Sequence, residues 1–271
     1  MPLTPTDREL KAKTSYHNRI FNEDCVTGMQ RLPSNIVDLV ITDPPFGIEF
    51  KAKRPNYNRA PHRVLEGYSD VSQIEYFEFT RTWLTEVQRI LKPSGSAFIF
   101  SGWNNLKDIL NAISEVGLET INHIIWKYQF GVATKRRFVT SHYHCLFVAK
   151  DDKERIFHAN SRYSREDRTE DGKSARYRDM EDVWVIKREY WTGDIKTPTK
   201  LPRQLIEKIL DYSSREGELV LDPFLGSGQV PVVAQEHKRR FVGFEIVPEY
   251  FEFAAKRLAT RCYRIPDQPN D

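Results

Sequence analysis

The stretch Glu218-Leu-Val-Leu-Asp222-Pro-Phe-Leu-Gly226-Ser-Gly228-Gln-Val-Pro-Val-Val-Ala-Gln-Glu236-His-Lys-Arg-Arg240-Phe-Val-Gly-Phe-Glu245 decides the fold. A short apolar run, Glu218 to Leu221, ends in an acid, a proline and two glycines. The segment Val230 to Glu236 has a helical pattern, and a second apolar run, Arg240 to Phe244, ends in another acid. Strand, turn, helix and strand in so few residues form a βαβ unit, which implies a parallel sheet covered by helices. Glycines at the strand end let backbone N–H groups approach a ligand closely. Glu245 lies 23 positions after Asp222. In nucleotide-binding α/β folds an acid about 20 residues on accepts hydrogen bonds from ribose hydroxyls. The third glycine of G-x-G-x-x-G is missing, so a dinucleotide fits poorly. A purely structural tight turn would account for the same residues.

The rest of the chain keeps the alternation. Ile36 to Thr42 is short and β-branched, as for a strand covered on both faces. Helices are expected over Ile74–Leu91, stopping at Lys92-Pro-Ser-Gly95, and over Trp103–Val116, Leu205–Tyr212 and Tyr250–Leu258. Trp103 reads as a core aromatic at a helix start. Further strands are expected over Ala97–Phe100, Ile121–Tyr128 and Tyr143–Ala149. The pattern is an α/β fold with ligands outside the carboxyl ends of the strands. Asp151 to Met180 breaks it, with eight Lys/Arg, eight Asp/Glu and little apolar material.

Composition narrows the classes. The 271 residues carry 41 Lys+Arg against 38 Asp+Glu, a net charge of +3 that announces no nucleic-acid partner by itself. Its distribution is uneven. Lys51, Lys53, Arg54, Arg59 and Arg63 lie in thirteen residues without an acid, and Lys135-Arg136-Arg137 is a second cluster. Both clusters are read as candidate phosphate contacts. Cys25, Cys145 and Cys262 form no C-x-x-C pair, which fits a reduced cytoplasmic protein. No run approaches the ~18 apolar residues of a membrane span, and the polar Met1–Asn18 has no secretory pattern. His142 and His144 share one strand face, but no further ligands at metal spacing accompany them, so no metal is expected.

Asp43-Pro-Pro-Phe46 is the rarer turn. Two prolines stiffen the backbone and leave carbonyls without competing N–H groups. A carboxylate beside such a carbonyl makes an acceptor pair for an –NH2 group, and Phe46 offers a face on which a heteroaromatic ring can stack. An exocyclic amine has its lone pair delocalised into the ring. Two acceptors on its hydrogens rotate that pair toward an electrophile. A rigid turn with a capping Asp is the structural alternative.

Taken together, the two turns resemble those of the amino-methyltransferases that use S-adenosylmethionine to methylate DNA bases on an exocyclic nitrogen. Asp43-Pro-Pro-Phe46 matches the D-P-P-Y/F motif and Asp222-Pro-Phe-Leu-Gly-Ser-Gly228 the F-x-G-x-G motif. Their order, catalytic before cofactor, is that of the circularly permuted β group. Asn22-Glu-Asp-Cys25, Arg89-Ile-Leu-Lys-Pro-Ser-Gly95, Trp126-Lys127, Arg136-Arg-Phe138, Asp182-Val-Trp184 and Thr197-Pro-Thr-Lys-Leu-Pro202 are similar to further family stretches in the same order. His144 stands where Glu is frequent. Thr197 and Leu201 depart from H-P-T-x-K-P, although Lys200 sits next to the lost lysine.

The resemblance implies a class I methyltransferase sheet of seven strands, mostly parallel with one antiparallel edge strand and helices on both faces. It implies S-adenosylmethionine held by Asp222, Pro223, Phe224, Gly226, Ser227, Gly228, Glu245, Ile246, Asp24, Cys25, Thr199 and Lys200, together with Asp43 and Pro44. The catalytic set would be Asp43, Pro44, Pro45 and Phe46, acting on a base flipped out of the duplex. Residues 1–18 would be an extension, 19–150 the catalytic half, 151–190 a target-recognition region in which base or phosphate contacts by the arginines stay open and surface ion pairs with its equal number of acids are the default, 191–262 the cofactor half and 263–271 a tail. Asp43 rather than Ser favours adenine N6 over cytosine N4. A non-catalytic nucleic-acid partner and an RNA or protein-amide methylase fit the turns less well. DNA is the implied partner, no membrane is involved, and a homodimer and a cognate restriction endonuclease stay open. The expected setting is the cytoplasm of a prokaryote or phage host, at the nucleoid.

Overall fold

The computed structural model describes residues 16–45, 75–128, 135–136, 138–189 and 200–262. Phe46, Lys51, Lys53, Arg54, Arg59, Arg137 and Thr199 lie outside the described residues, as do most of the extension and the tail. Eight strands form one sheet: β1 (Arg19–Asn22), β2 (Val37–Thr42), β3 (Leu91–Ser101), β4 (Glu119–Lys127), β5 (His142–Ala149), β6 (Val183–Val185), β7 (Leu219–Asp222) and β8 (Arg240–Glu245). Their order is β1-β8-β7-β2-β3-β5-β4-β6. Every neighbouring pair is parallel except those of β5, which runs against both β3 and β4.

This is the class I methyltransferase sheet with two differences from expectation. The described residues give eight strands rather than seven, because Val183–Val185 pairs alongside β4. The antiparallel strand lies inside the sheet, between β3 and β4, not at its edge.

The helices are α1 (Cys25–Gln30), α2 (Tyr76–Ile90), α3 (Leu106–Glu115), α4 (Ala175–Asp179), α5 (Arg203–Ser213), α6 (Gln229–Glu236) and α7 (Pro248–Cys262). Strand alternation sends side chains into two cores. Val40, Leu221 and Val242 pack with α1, α2 and α3 on one face, while Leu39, Ile41, Val220 and Phe241 pack with α5 and α6 on the other. Hence every residue of β2 is buried. On α2, the positions Tyr76, Thr80, Trp83, Leu84, Val87 and Ile90 recur at helical spacing and are buried. Each large apolar side chain so covered contributes roughly 1.5–3 kcal/mol.

The Arg89–Gly95 stretch is built for anchoring. Arg89 donates to the carbonyls of Met29 (2.8 Å) and Leu32 (2.9 Å) at the end of α1. Lys92 Nζ donates to Asp38 Oδ1 (2.6 Å), whose other oxygen accepts from the Leu219 N–H (2.9 Å). One carboxylate thus ties the first turns of β2, β3 and β7. The Lys92-Pro-Ser-Gly95 turn is not a break between elements but a bulge within β3: Val37 pairs with Leu91 and Leu39 already with Ser96.

Residues 151–182 leave the end of β5 and return to the start of β6. Ile156 N–H donates to Ser94 O (3.1 Å) and His158 N–H to Tyr212 O (2.8 Å), near the beginning of β3 and the end of α5. The segment therefore starts at the amino-terminal edge of the sheet and runs up beside β4, where the Ile125 N–H donates to Asp182 O (2.8 Å). Among the described residues no helix is long and apolar enough to cross a membrane.

Close packing of α1 on the sheet makes a sharp test. A Cβ on Gly28 would stand 2.3 Å from the buried Phe244 ring, itself stacked on Phe21. Gly28→Ala is expected to destabilise the protein by roughly 1–3 kcal/mol, read as a lower chemical-denaturation midpoint.

Candidate active site

The carboxyl edge of the sheet gathers three acids on neighbouring strands: Asp43 just after β2, Asp222 closing β7 and Glu245 closing β8. The glycine turn after β7 folds onto this group. Gly226 and Gly228 take φ of 51° and 72°, the left-handed region that glycine enters without strain. A Cβ at Gly228 would also meet the Ala254 Cβ at 2.8 Å. The Gly226 N–H donates to Glu245 Oε2 (2.7 Å) and the Val247 N–H to Oε1 (2.8 Å). From the other side, Asn22 Nδ2 (2.8 Å) and the Glu23 N–H (3.0 Å) donate to the Glu245 carbonyl. Glu245 is thereby fixed in backbone and side chain alike.

Other expected cofactor residues sit around this turn in different ways. The Phe224 ring packs against Trp83 (5.4 Å) and Phe79 (5.8 Å), anchoring the turn on α2. Pro223 is buried beside it. Ser227 is buried, and its carbonyl accepts from Arg257. Ile246 is 65 % exposed, an apolar platform next to Glu245. Asp24 caps α1, accepting from the Thr27 N–H (2.9 Å). Cys25 is buried behind it, and burial pushes its thiol up. Lys200 pairs with Glu189 (2.8 Å), which also accepts from the Arg203 N–H (2.7 Å) at the start of α5.

Pro44 is buried and Pro45 half-buried behind Asp43. Tyr143, second residue of β5, donates its hydroxyl to Asp43 Oδ1 (3.1 Å) and sets its ring edge-on to Trp126. Arg188, stacked 3.7 Å over the Tyr128 ring, also acts on the Asp43 charge. Sequence reading missed both. Alternation along β5 could have hinted at Tyr143, which faces away from His142 and His144.

Lys135 and Arg136 are exposed between β4 and β5, on the same edge. Trp103 is 68 % exposed rather than a core residue. It lies in the turn before α3, ahead of the helical spacing that buries Ile109 and Ile113. His144 faces His123, with Nδ1 and Nε2 2.7 Å apart, and burial and the two neighbouring imidazoles press it down to about 4.

Comparison with known proteins identifies the family and the fold. The DNA methylase family profile matches residues 37–257. The chain belongs to that family. The type II methyltransferase M2.DpnII of Streptococcus pneumoniae is 30 % identical over 257 residues, covering 90 % of this chain and 91 % of that protein. Among solved structures, the M1.HpyAVI–SAM complex is similar with a TM-score of 0.62 at 23 % identity, covering 89 % of this chain and 98 % of the other. The cytosine-N4-specific PvuII DNA methyltransferase is similar with a TM-score of 0.69 at 19 % identity, covering 93 % and 88 %. These structural likenesses carry the fold alone.

In this DNA methylase the three acids repel one another in a desolvated corner. Burial, then the Asp43 and Glu245 charges, drive Asp222 up to about 8 against the Phe224 N–H that stabilises its anion. Burial raises Asp43 to about 6, opposed by the Tyr143 hydrogen bond and by Arg188. Glu245 is raised by burial against its backbone donors. A raised folded value means that the folded state keeps a proton the unfolded chain has lost. Stability is therefore greatest below the ordinary carboxylate range and falls as pH rises through the folded values. Asp222→Asn keeps the shape and removes the buried charge. The ligand-free variant is expected to melt several degrees above the wild type at pH 8, with the gap closing toward pH 4.

Proposed function

We propose that this DNA methylase transfers a methyl group from S-adenosylmethionine to adenine N6 of a base flipped out of DNA. The observation that carries this reading is Asp43, held at Oδ1 by Tyr143 beside the acid-rich glycine turn. The site suits that cofactor. Three carboxyl groups, each raised by burial, favour a cationic ligand. The left-handed glycine turn leaves room for a close backbone approach, and Glu245 with exposed Ile246 offers acceptors and an apolar face to a nucleoside. Asp222, Gly226, Ser227, Gly228 and Glu245 would hold it, with Ile246 against the adenine.

When bound, S-adenosylmethionine supplies an electrophilic methyl group on a sulfonium. The protein's part is orientation. Tyr143 occupies Asp43 Oδ1, so Oδ2 accepts one N–H of the target amine and the Pro44 carbonyl the other. This pair turns the amine lone pair out of conjugation with the ring and lowers the barrier by alignment. Asp43 must be ionised to accept. Once the amine has gained its methyl group, its surplus proton is lost past the same carboxylate. Asp43 rather than Ser at this position supports adenine over cytosine.

Incubation with labelled cofactor and DNA, followed by nucleoside mass spectrometry, is expected to give N6-methyladenine; N4-methylcytosine as the product would overturn the base assignment. Asp43→Ala should lower turnover by at least ~100-fold while cofactor binding survives. Because Asp43 works as its anion, activity should fall as pH drops through about 6. In Tyr143→Phe, which removes a donor that lowers the Asp43 value, this limb of the pH profile should move to higher pH. An unmoved limb would deny the pairing any role in catalysis.

A further inference from the structure

The chain that leaves β6 reaches both parts of the proposed site. It is pinned at Ile186, whose N–H donates to the Lys127 carbonyl (3.2 Å) and whose own carbonyl accepts from the buried Trp126 Nε1 (2.8 Å). Two residues on, Arg188 stacks over Tyr128 and acts on Asp43. Glu189, next in the chain, serves the glycine turn instead. Its Oε1 accepts from the Arg203 N–H (2.7 Å) at the start of α5, and its Oε2 meets Lys200 Nζ (2.8 Å) and Gln229 Nε2 (3.4 Å).

Gln229 is the buried first residue of α6 and directly follows Gly228, which caps that helix without a side chain. Its Oε1 accepts from Arg257 of α7, and the same guanidinium donates to the Ser227 carbonyl. Arg257 and Gln229 therefore hold the turn between them. Glu189 acts on both, through a hydrogen bond to Gln229 and through charge on Arg257. Burial presses the Arg257 guanidinium down to about 10, and the Glu189 carboxylate opposes that shift.

Charge balance matters here because the proposed ligand is a cation. Arg203 pairs with Glu207 (3.1 Å) and Glu236, whereas Lys200 and Arg257 share Glu189. Take that carboxylate away and the positive field beside the turn grows, felt by a ligand charge across partly buried ground. S-Adenosylmethionine carries a sulfonium. S-Adenosylhomocysteine, the thioether left after methyl transfer, has nearly the same shape and one positive charge fewer.

We infer that Glu189 is a positioning residue of the cofactor site: it steadies the glycine turn through Gln229 and balances Lys200 and Arg257, so that the sulfonium cofactor is held in preference to its thioether product. The inference rests on the proposed cofactor role of the turn. It gives Glu189, which falls inside the 151–190 region expected to recognise the target, a task at the cofactor.

The test is isothermal titration calorimetry at low salt with S-adenosylmethionine and, separately, with S-adenosylhomocysteine. Glu189→Gln is expected to weaken S-adenosylmethionine at least ~5-fold and S-adenosylhomocysteine no more than ~2-fold. Lys200→Met, which removes one of the two cations, should move the preference the other way, toward S-adenosylmethionine by at least ~2-fold. Equal losses for both ligands in Glu189→Gln would mark a purely structural contact and overturn the inference, and so would an unchanged preference in Lys200→Met, which decides alone should Glu189→Gln not fold. A wild type that binds both ligands while the variants leave the preference unmoved refutes only the role of Glu189. A wild type that binds neither refutes the functional reading and this inference with it.

Discussion

Three carboxyl groups crowded at the ends of β2, β7 and β8 constrain everything around them. Burying even one unpaired acid is costly, and three within mutual reach cannot all be ionised at neutral pH without help. The protein supplies that help locally: backbone N–H groups of the glycine turn on Glu245, the Phe224 N–H on Asp222, the Tyr143 hydroxyl on Asp43. What remains unbalanced is an appetite for positive charge at the point where the proposed cofactor carries it. Ligand binding and relief of repulsion are then the same event, so some native stability is withheld until the ligand arrives.

Much of this was legible from residue order. The β-branched run into Asp43, the strand that ends at Asp222 and the acid after the next strand place all three groups at one edge of a parallel sheet. Such a sheet puts the ends of its strands on one side whatever their order. The two-sided burial of β2 followed from the same logic. The contacts that tune the site were not legible. Tyr143 reaches Asp43 across 100 positions because β5 enters the sheet backwards, and nothing local in the chain announces that reversal. Lys92-Pro-Ser-Gly95 carries strong turn residues, yet the Lys92–Asp38 pair and flanking strand pairs hold it as a bulge within β3. Val183–Val185 is too short for a period to register, and Trp103 precedes rather than joins the helical stripe of α3. Asp24, expected near a nucleobase, has an immediate local task as a helix cap.

Charge tells a similar story. A net +3 over 271 residues conceals a division of labour. Arg162 bridges Asp179 of its own segment and Asp211 of α5, and with Lys208 and Tyr212 forms a half-buried network that holds the segment against α5, while Arg165, Arg168 and Arg178 stay exposed. Surface pairs of that sort add little individually, but several meeting on Asp179 define one arrangement of the chain.

The reversed strand has one further effect. Because β5 alone runs antiparallel, the connection that follows it emerges at the amino-terminal edge, far from the chemistry. Chain added there meets neither Asp43 nor the glycine turn, and loop length is thermodynamically cheap. That junction is the fold's free margin. Residues added, removed or exchanged there leave every reacting group in place, whereas a single residue inserted directly after β2, β7 or β8 would displace one.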